Sequence, residues 1–339
     1  MTHVFLDACK RKKVEYTPVW FMRQAGRYLP SYAKMKGNRG VLQAVKDPEL
    51  ASDIAVEPVK LLGTDAAIIY ADIMIPLEAI GVDLSIKEDY GPLIARPFKS
   101  EKDVEIIKEL KPEKLYFLGE AIKKIKAKLQ KSIPVIGFSA APFTLASYLI
   151  EGGPSSDFVK TRMAMHDEIL WQKIMGSLVD LISDYLAYQV EYGIDAVQLF
   201  DSWAGAVSSS DYERFILPYT KRVFSNLPAN LPKIHFCANS SHLIEKFAQT
   251  GADVLSVDWR VDIASVWKRT DEKLAVQGNL DPALAVVGGK EMQLAVNKIM
   301  QDAYGHKGHI FNLGHGVLKE TNPENLKKIV KIVHRWEMV

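Results

Sequence analysis

Short apolar segments alternate with longer amphipathic ones from one end of this 339-residue sequence to the other. The apolar segments are rich in β-branched and aromatic residues and lack polar alternation, which is typical of strands buried on both faces of a parallel sheet. We predict eight such strands: Val19–Met22, Ala67–Tyr70, Val135–Phe138, Ala196–Phe200, Ile234–Phe236, Val254–Val257, Leu274–Gln277 and His309–Asn312. The amphipathic segments predict helices, of which 167–192 is the longest and the one opened by Asn322-Pro323-Glu324 is the last.

Three predicted joints between a helix and the next strand share one pattern. They are Gly63-Thr64-Asp65-Ala66, Gly193-Ile194-Asp195-Ala196 and Gly251-Ala252-Asp253-Val254. Glycine adopts the left-handed conformation that ends a helix, so the recurrence indicates repeated βα units. About eight strands alternating with helices favour an α/β fold of the closed (β/α)8 TIM-barrel type. The alternative is a doubly wound open sheet, but no Gly-x-Gly-x-x-Gly follows any predicted strand.

No segment rich in Pro, Gly or Ser divides the sequence, so we predict that residues 1–339 form one barrel domain. Lysine and arginine number 43 against 41 acidic residues, a net charge of +2 that argues against a nucleic-acid partner. The basic cluster Lys10–Lys13 is interpreted as a solvated arm.

The sequence also argues against a membrane or secreted location. Its most apolar stretch, 66–84, is interrupted by Asp72, Glu78 and Asp83, which predicts a strand and a short helix instead of a membrane span. The N-terminus lacks the long apolar core of a secretory signal. Two cysteines, Cys9 and Cys237, fit a reducing compartment. We therefore expect a cytoplasmic protein.

Polar residues follow nearly every predicted strand at its C-terminal end, where active sites of such barrels are built. In strand order they are Arg23, Gln24 and Arg27; Asp72; Ser139; Asp201 and Ser202; His235 and Cys237; Asp258; Asn279 and Asp281; and His315. Any one of them could be an ordinary loop residue, but we expect all of them to meet at one mouth.

Arg23 and Arg27 directly follow a buried strand, and Gly26 between them allows a close approach of the backbone. A guanidinium at such a place is suited to binding a carboxylate with two hydrogen bonds. Two of them predict a substrate with several carboxylates. The alternative is a pair of surface arginines on a helical turn.

The segment Trp20-Phe21-Met22-Arg23-Gln24-Ala25-Gly26-Arg27-Tyr28 resembles the N-terminal signature of the uroporphyrinogen decarboxylase family. The segment 137–144, Gly-Phe-Ser-Ala-Ala-Pro-Phe-Thr, with Tyr148 and Glu151-Gly152-Gly153 after it, is similar to the second signature of the family. The segments 277–282 and 312–317 fit the family further along the chain. The resemblance therefore covers essentially the whole sequence.

This resemblance implies removal of CO2 from the four acetate side chains of uroporphyrinogen III, giving coproporphyrinogen III in heme biosynthesis. It also implies a homodimer that uses no metal or organic cofactor. Loss of CO2 leaves a carbanion, which needs an electron sink. A pyrrole protonated on the ring carbon that bears the acetate is itself such a sink.

The resemblance also implies roles for single residues. Asp72 would face the centre of the macrocycle and stabilise the cation formed on ring protonation, and Tyr148 would hydrogen-bond to Asp72. The other implied substrate-binding residues are Arg23, Gln24, Ala25, Gly26, Arg27, Ser202 and His315. From the residues alone, Asp72 could equally be a strand-end cap or a partner of Arg27, and Tyr148 a core aromatic.

The donor of the ring proton stays open. A guanidinium is a poor acid because it stays charged above pH 12. An arginine paired with the departing carboxylate would also stabilise the ground state and slow the loss of CO2. We therefore interpret Arg23 and Arg27 chiefly as anchors of carboxylates, with a possible part in catalysis.

Two alternatives remain at this stage. Zinc-dependent corrinoid or thiol methyltransferases are similar to members of the same superfamily. They bind zinc through a His-x-Cys pair and a later cysteine. This sequence has His235-Phe236-Cys237, but His315 stands at the later position; two histidines and one cysteine could still hold zinc. The second alternative, a non-catalytic tetrapyrrole carrier, would need the arginines but not Asp72.

Overall fold

The computed structural model describes residues 3–87 and 90–337. Within them, seven parallel strands form one sheet whose order follows the chain, and an antiparallel hairpin (β2 and β3) stands apart from it. The strands are β1 Ala67–Ile68, β2 Leu84–Lys87, β3 Gly91–Ile94, β4 Val135–Ala140, β5 Ala196–Phe200, β6 Lys233–Cys237, β7 Val254–Val257, β8 Ala275–Leu280 and β9 His309–Leu313.

The helices lie between these strands. They are α1 Val4–Cys9, α2 Pro30–Lys36, α3 Val41–Val45, α4 Pro48–Leu62, α5 Ile75–Ala79, α6 Glu101–Val104, α7 Tyr116–Lys128, α8 Pro142–Glu151, α9 Val159–Ala164, α10 Glu168–Glu191, α11 Ser209–Asp211, α12 Leu217–Ser225, α13 Ile244–Phe247, α14 Ile263–Arg269, α15 Pro282–Val287, α16 Gly289–Ala303 and α17 Pro323–His334. Short 3-10 turns span Pro112–Leu115, Ala204–Ala206 and Ser241–Leu243, and Tyr212–Ile216 is a π-helical turn. None of the described helices has the length and apolar character needed to cross a membrane.

Residues 18–20 occupy the eighth position of the ring, between β9 and β1. Val19 forms a parallel bridge with Phe311, whose N–H donates to the Pro18 carbonyl at 2.9 Å. On the other side, the N–H of Asp65, just before β1, donates to the Val19 carbonyl at 2.8 Å. The sheet therefore closes on itself, which confirms the predicted (β/α)8 barrel.

The predicted strand Val19–Met22 is nevertheless wrong in its extent, because only a bridge forms there. Side chains take the place of strand partners: Asp65 accepts from the Val19 N–H, and Asn312 accepts from the Met22 N–H. The Gln24 side chain accepts from the Phe21 N–H. The backbone thus turns away from the sheet immediately after residue 20, into the segment that carries Arg23.

The three glycines adopt the predicted left-handed conformation, with φ of 76° at Gly63, 96° at Gly193 and 90° at Gly251. Gly63 and Gly193 stand at the ends of α4 and α10 as predicted, but α13 already ends at Phe247, three turn residues before Gly251. The aspartate two residues after each glycine makes a pair of hydrogen bonds to the first residue of the neighbouring strand. Asp253, for example, accepts from the Lys233 N–H through its carboxylate at 2.9 Å and donates its own N–H to the Lys233 carbonyl at 2.8 Å. Asp65 binds Val19 in the same way, and Asp195 binds Val135. These three aspartate clamps fix the strand register at the N-terminal end of the barrel.

A buried polar layer crosses the barrel interior. The Trp20 indole N–H donates to Gln277 Oε1 at 2.8 Å, and Gln277 Nε2 donates to Gln198 at 3.0 Å and to Ser256 at 2.8 Å. All four side chains are fully or almost fully buried. The interior is therefore a packed core, and substrate has access only to the mouth above it.

Candidate active site

The mouth begins with the turn 21–28, which is held by Gln24. The Gln24 side chain is fully buried, accepts from the Phe21 N–H at 3.1 Å and donates to the Ala66 carbonyl at 3.0 Å. The backbone carbonyl of Gln24 accepts from the Tyr28 hydroxyl at 2.7 Å. Both polar ends of the Gln24 side chain are therefore used within the protein, and the half-buried residues Ala25 and Gly26 follow it on the turn.

Arg23 stands on this turn in a left-handed conformation, with φ of 60°. Part of the residue is exposed at the mouth, whereas its guanidinium is largely surrounded by protein. Its stem lies against Gly316, where an added Cβ would come within 2.4 Å of Arg23 Cδ. Burial lowers the pKa of the Arg23 guanidinium, and the charge of Asp72 opposes that effect. The guanidinium is therefore placed by the absence of a side chain at residue 316 and lies within electrostatic range of Asp72.

Asp72 follows β1 and is half-buried. Its Oδ1 accepts from the Met74 N–H at 2.9 Å, so the residue does cap the turn before α5. Burial raises the pKa of the Asp72 carboxyl, while the hydrogen bond from Met74 and the charge of Arg23 lower it. The carboxylate is thus poorly solvated, a state that a nearby positive charge stabilises.

Tyr148 lies on α8 and is 6% exposed, with its ring edge-on to Trp203 at 6.0 Å between centroids. Burial and then the charge of Asp72 raise the pKa of Tyr148 to about 12, so the phenol stays protonated at neutral pH. In the described residues no direct hydrogen bond joins Tyr148 to Asp72. Tyr148 is therefore a core aromatic within electrostatic range of Asp72, and its hydrogen bond to Asp72 stays a prediction.

Ser202 and His315 lie half-buried at the ends of β5 and β9. Burial lowers the pKa of His315 to about 4, and the charges of Arg23 and Arg260 act in the same direction while Asp258 opposes them. His315 is therefore a neutral imidazole at neutral pH. Of the predicted residues, Arg23, Asp72, Tyr148 and His315 are brought together electrostatically.

Sequence reasoning missed Arg260, an exposed residue after β7. Its Nη1 lies 3.1 Å from Asp258 Oδ2, and its guanidinium lies 4.0 Å from the centroid of the Trp259 ring. The sequence did contain a signal for Arg260. It lies two positions beyond Asp258, and Asp258 was already expected at the mouth.

The zinc alternative fails on the direction of side chains along β6. His235 packs against Phe224 and Phe247 of the outer helices, at 5.8 and 4.6 Å between ring centroids. By strand alternation Cys237 lies on the same side, whereas Phe236 faces His315 at 5.8 Å. His235, Cys237 and His315 therefore do not converge, and the described residues contain no cluster of three His, Cys, Asp or Glu side chains able to hold a metal.

Comparison with known proteins extends the resemblance found in the sequence. Residues 2–336 match the family model of uroporphyrinogen decarboxylase (URO-D). A uroporphyrinogen decarboxylase of Solibacter usitatus is 40% identical over 338 residues, covering 99% of this chain and 98% of that protein. One of Thermodesulfovibrio yellowstonii is 43% identical over 340 residues, covering 100% and 99%.

Among solved structures, a methyltransferase from Methanosarcina mazei superposes with a TM-score of 0.79 at 20% identity, covering 96% of each chain. A B12-independent methionine synthase from Shewanella sp. W3-18-1 gives 0.56 at 11% identity, covering 84% of this chain and 87% of that one. At these identities the likeness shows a common fold alone. The whole-chain family match and the relatives above 40% identity go further: the chain belongs to the uroporphyrinogen decarboxylase family.

Proposed function

We propose that this chain is a carboxy-lyase that removes CO2 from the four acetate side chains of uroporphyrinogen III and releases coproporphyrinogen III in heme biosynthesis. The observation that carries the proposal is the family match over residues 2–336, in a barrel whose mouth holds Arg23 and Asp72 within electrostatic range of each other. A protein that only bound an anionic ligand would need the arginine but not the carboxylate. A poorly solvated carboxylate within electrostatic range of that arginine is suited to a substrate that becomes positively charged during the reaction.

Asp72 is proposed as the group that stabilises this positive charge. Because burial disfavours its negative charge, the carboxylate gains more from a protonated pyrrole than from a neutral one. The interaction is therefore stronger in the transition state than in the ground state, which is what accelerates a reaction. The chain's own part in catalysis is then to hold the macrocycle over Asp72 and to keep water away from it.

The remaining residues are proposed to bind the carboxylates of the substrate. Arg23 and Arg27 would supply positive charge and paired N–H donors. Ser202, Tyr148 and His315 would act as neutral donors, since the pKa of Tyr148 is raised to about 12 and that of His315 is lowered to about 4. Neutral donors can orient an acetate without the strong ground-state attraction of an ion pair.

We also propose a homodimer and a cytoplasmic location. Three exposed apolar side chains, Val159 (50%), Met163 (70%) and Ile169 (67%), lie close together in sequence beside Phe158, which packs on Trp203 near the mouth. Such a surface is suited to burial against a second copy. Both cysteines are free, as expected in a reducing compartment. Sedimentation of the wild type and of Met163→Glu tests the dimer, which the charge should weaken.

The activity is tested by incubating the protein with uroporphyrinogen III without oxygen, before and after exhaustive chelation, and measuring CO2 and the porphyrinogens formed. We expect four CO2 per substrate and the same rate after chelation. Binding without CO2 release would indicate a carrier. Stoichiometric zinc held through His235, Cys237 and His315, with activity lost on chelation, would indicate the methyltransferase alternative.

A further inference from the structure

Arg260 is held rigidly at the mouth although it belongs to no family motif found in the sequence. Its guanidinium is fixed from two sides, by Asp258 Oδ2 at 3.1 Å from Nη1 and by the Trp259 ring at 4.0 Å. Asp258 is itself fixed, since its carboxylate accepts from the N–H groups of Asn239 and Arg260 and its side chain is 4% exposed. The Arg260 side chain is 48% exposed. The Arg260 guanidinium is therefore preorganised, and its remaining N–H donors are open toward solvent.

The position of Arg260 relative to the other site residues follows from loop packing and strand order. The loop 258–260 packs against the loop 314–316, because a Cβ on Gly314 would lie 2.4 Å from the Trp259 N atom. His315 stands between two close backbone approaches, that of Gly314 to Trp259 and that of Gly316 to the Arg23 side chain. The positive charges of Arg23 and Arg260 both lower its pKa. In the closed ring, β7 stands four positions from β1. Arg260 thus lies across the mouth from Asp72.

We propose that Arg260 binds a substrate carboxylate that is not removed in the reaction. This inference rests on the proposed function and deepens it. Uroporphyrinogen carries eight carboxylates and coproporphyrinogen keeps four of them, so a macrocycle over Asp72 presents carboxylates to the whole rim. Arg260 stands across the mouth from Asp72, so a macrocycle centred on Asp72 reaches Arg260 with a side chain of its outer edge. A cation there adds affinity without stabilising the departing carboxylate, which would slow the reaction.

The competing explanation is that Arg260 only neutralises Asp258. In that case its removal would alter stability but leave ligand affinity unchanged. The two explanations are separated by measuring substrate and product binding in the same variant, because the carboxylates at issue are present in both molecules.

The experiment compares wild type, Arg260→Ala, Arg260→Lys and Arg335→Ala. Arg335 is exposed and follows His334, which binds Asp65 at the opposite end of the barrel, so it is a charge-matched control. KM and kcat for uroporphyrinogen III and the inhibition constant of coproporphyrinogen III are measured at two ionic strengths. Arg260→Ala should raise both KM and the inhibition constant about three- to tenfold, allowing for partial solvent screening. Its kcat should stay within about twofold, and Arg260→Lys should fall between it and the wild type.

Wild-type CO2 release establishes the proposed function independently of these variants. If Arg260→Ala matches Arg335→Ala in both constants, the inference is wrong although the function stands. It is equally wrong if KM rises while the inhibition constant does not, since Arg260 would then bind an acetate. Should Arg260→Ala unfold, Arg260→Lys decides, because it retains a cation beside Asp258: unchanged constants at both ionic strengths would reject a carboxylate-binding guanidinium.

Discussion

Three ionisable residues of the mouth, Arg23, Asp72 and His315, share one property, which is that burial disfavours their charged forms. Burial raises the pKa of Asp72, lowers that of Arg23 and lowers that of His315 to about 4. Arg23 and Asp72 partly compensate each other. Such groups concentrate where a ligand supplies the missing charge. Here an octacarboxylate would match the arginines, and a protonated pyrrole would match Asp72.

Asp72→Asn tests the central role in this arrangement. The amide keeps the size of the side chain and one acceptor, so we expect substrate affinity to change little. Turnover should fall by about 10²–10³ because the cation loses its counter-charge. Steady-state kinetics with uroporphyrinogen III measure both quantities. Near-normal turnover would mean that Asp72 only positions the macrocycle and that another group stabilises the cation.

The same substitution should make the protein more stable. The pKa of Asp72 is raised in the folded state, so the folded chain loses stability as pH rises through that value. Asn carries no charge to desolvate, and we expect the free energy of unfolding at pH 7 to increase by about 1 kcal/mol. The gain should shrink as the pH is lowered and the wild-type carboxyl is protonated. Urea unfolding at several pH values measures it, and a less stable variant would contradict the argument.

Gly316→Ala offers a way to move Arg23 without removing its charge. The new methyl would lie 2.4 Å from Arg23 Cδ, and the flexible side chain must shift. We expect KM to rise about tenfold in Arg23→Ala and by a smaller factor in Gly316→Ala. The double variant should be no worse than Arg23→Ala, because the two changes act on one guanidinium. Additive effects in this double-mutant cycle would show that residue 316 contacts the substrate by itself.

At the scale of elements, the aspartate clamps join the helix ends to the strand ends. In each case a glycine in the left-handed conformation follows the helix, and the aspartate two residues later binds both backbone groups of a residue at the start of the neighbouring strand. The sequence pattern therefore encodes both the end of the helix and the strand register. This device lies at the end of the barrel away from the mouth, so it can be tested separately from catalysis.

Asp253→Ala should lower the free energy of unfolding by about 2 kcal/mol, because the Lys233 N–H would lose a charged acceptor in a part-buried position. Asp253→Asn is the matched control, since its amide oxygen can still accept and most of the stability should remain. Both variants should keep wild-type KM and kcat. Denaturant unfolding and steady-state kinetics provide the comparison, and an equal loss in Ala and Asn would point to the charge instead of the hydrogen bond.

The central strands and the mouth could be predicted because their signals are local. An apolar segment without alternation identifies a buried strand, and the polar residue after it, as with Asp72 or His315, then falls at the C-terminal end. The extent of the first strand could not be predicted, since Asp65 and Asn312, remote in sequence, take over its backbone hydrogen bonds. The family resemblance located Arg23 but did not show that Gly316 makes room for its side chain.

Other features could not be predicted from the sequence because they depend on the direction of a side chain or on the packing of two loops. His235 and Cys237 form a plausible metal pair in the sequence, yet the contact of His235 with Phe247 places both toward the outer helices. Arg260 became visible only once the loops 258–260 and 314–316 were seen to pack together. The hairpin of β2 and β3 was also missed: its strands alternate between half-buried and exposed residues or are only partly buried, unlike those of the barrel.

For the molecule as a whole, we predict a loss of stability in mild acid that originates in the two buried-ring histidines whose pKa is lowered to about 4, His309 and His315. The His309 side chain lies on β9 with its Nε2 3.2 Å from the Gly278 carbonyl and its ring 5.9 Å from that of Trp267. Burial lowers the pKa of His309 from 6.5 to about 4. The unfolded chain therefore binds the proton more tightly than the folded one. The stability that this histidine contributes is complete above pH 6.5 and is lost as pH falls toward 4.

Between pH 7.5 and pH 5 this loss should amount to about 2 kcal/mol in the wild type. His309→Gln can still donate to the Gly278 carbonyl but does not titrate, so its free energy of unfolding should be lower at pH 7.5 and fall less steeply with pH. His166→Gln, at an exposed histidine before α10, serves as control and should keep the wild-type slope. Guanidinium unfolding at pH 7.5, 6 and 5 gives the three slopes.

The pKa of His315 is also lowered to about 4. The variant His309→Gln should therefore keep the part of the pH dependence of stability that comes from His315. An unchanged slope in that variant would mean that acid acts on the barrel through other groups.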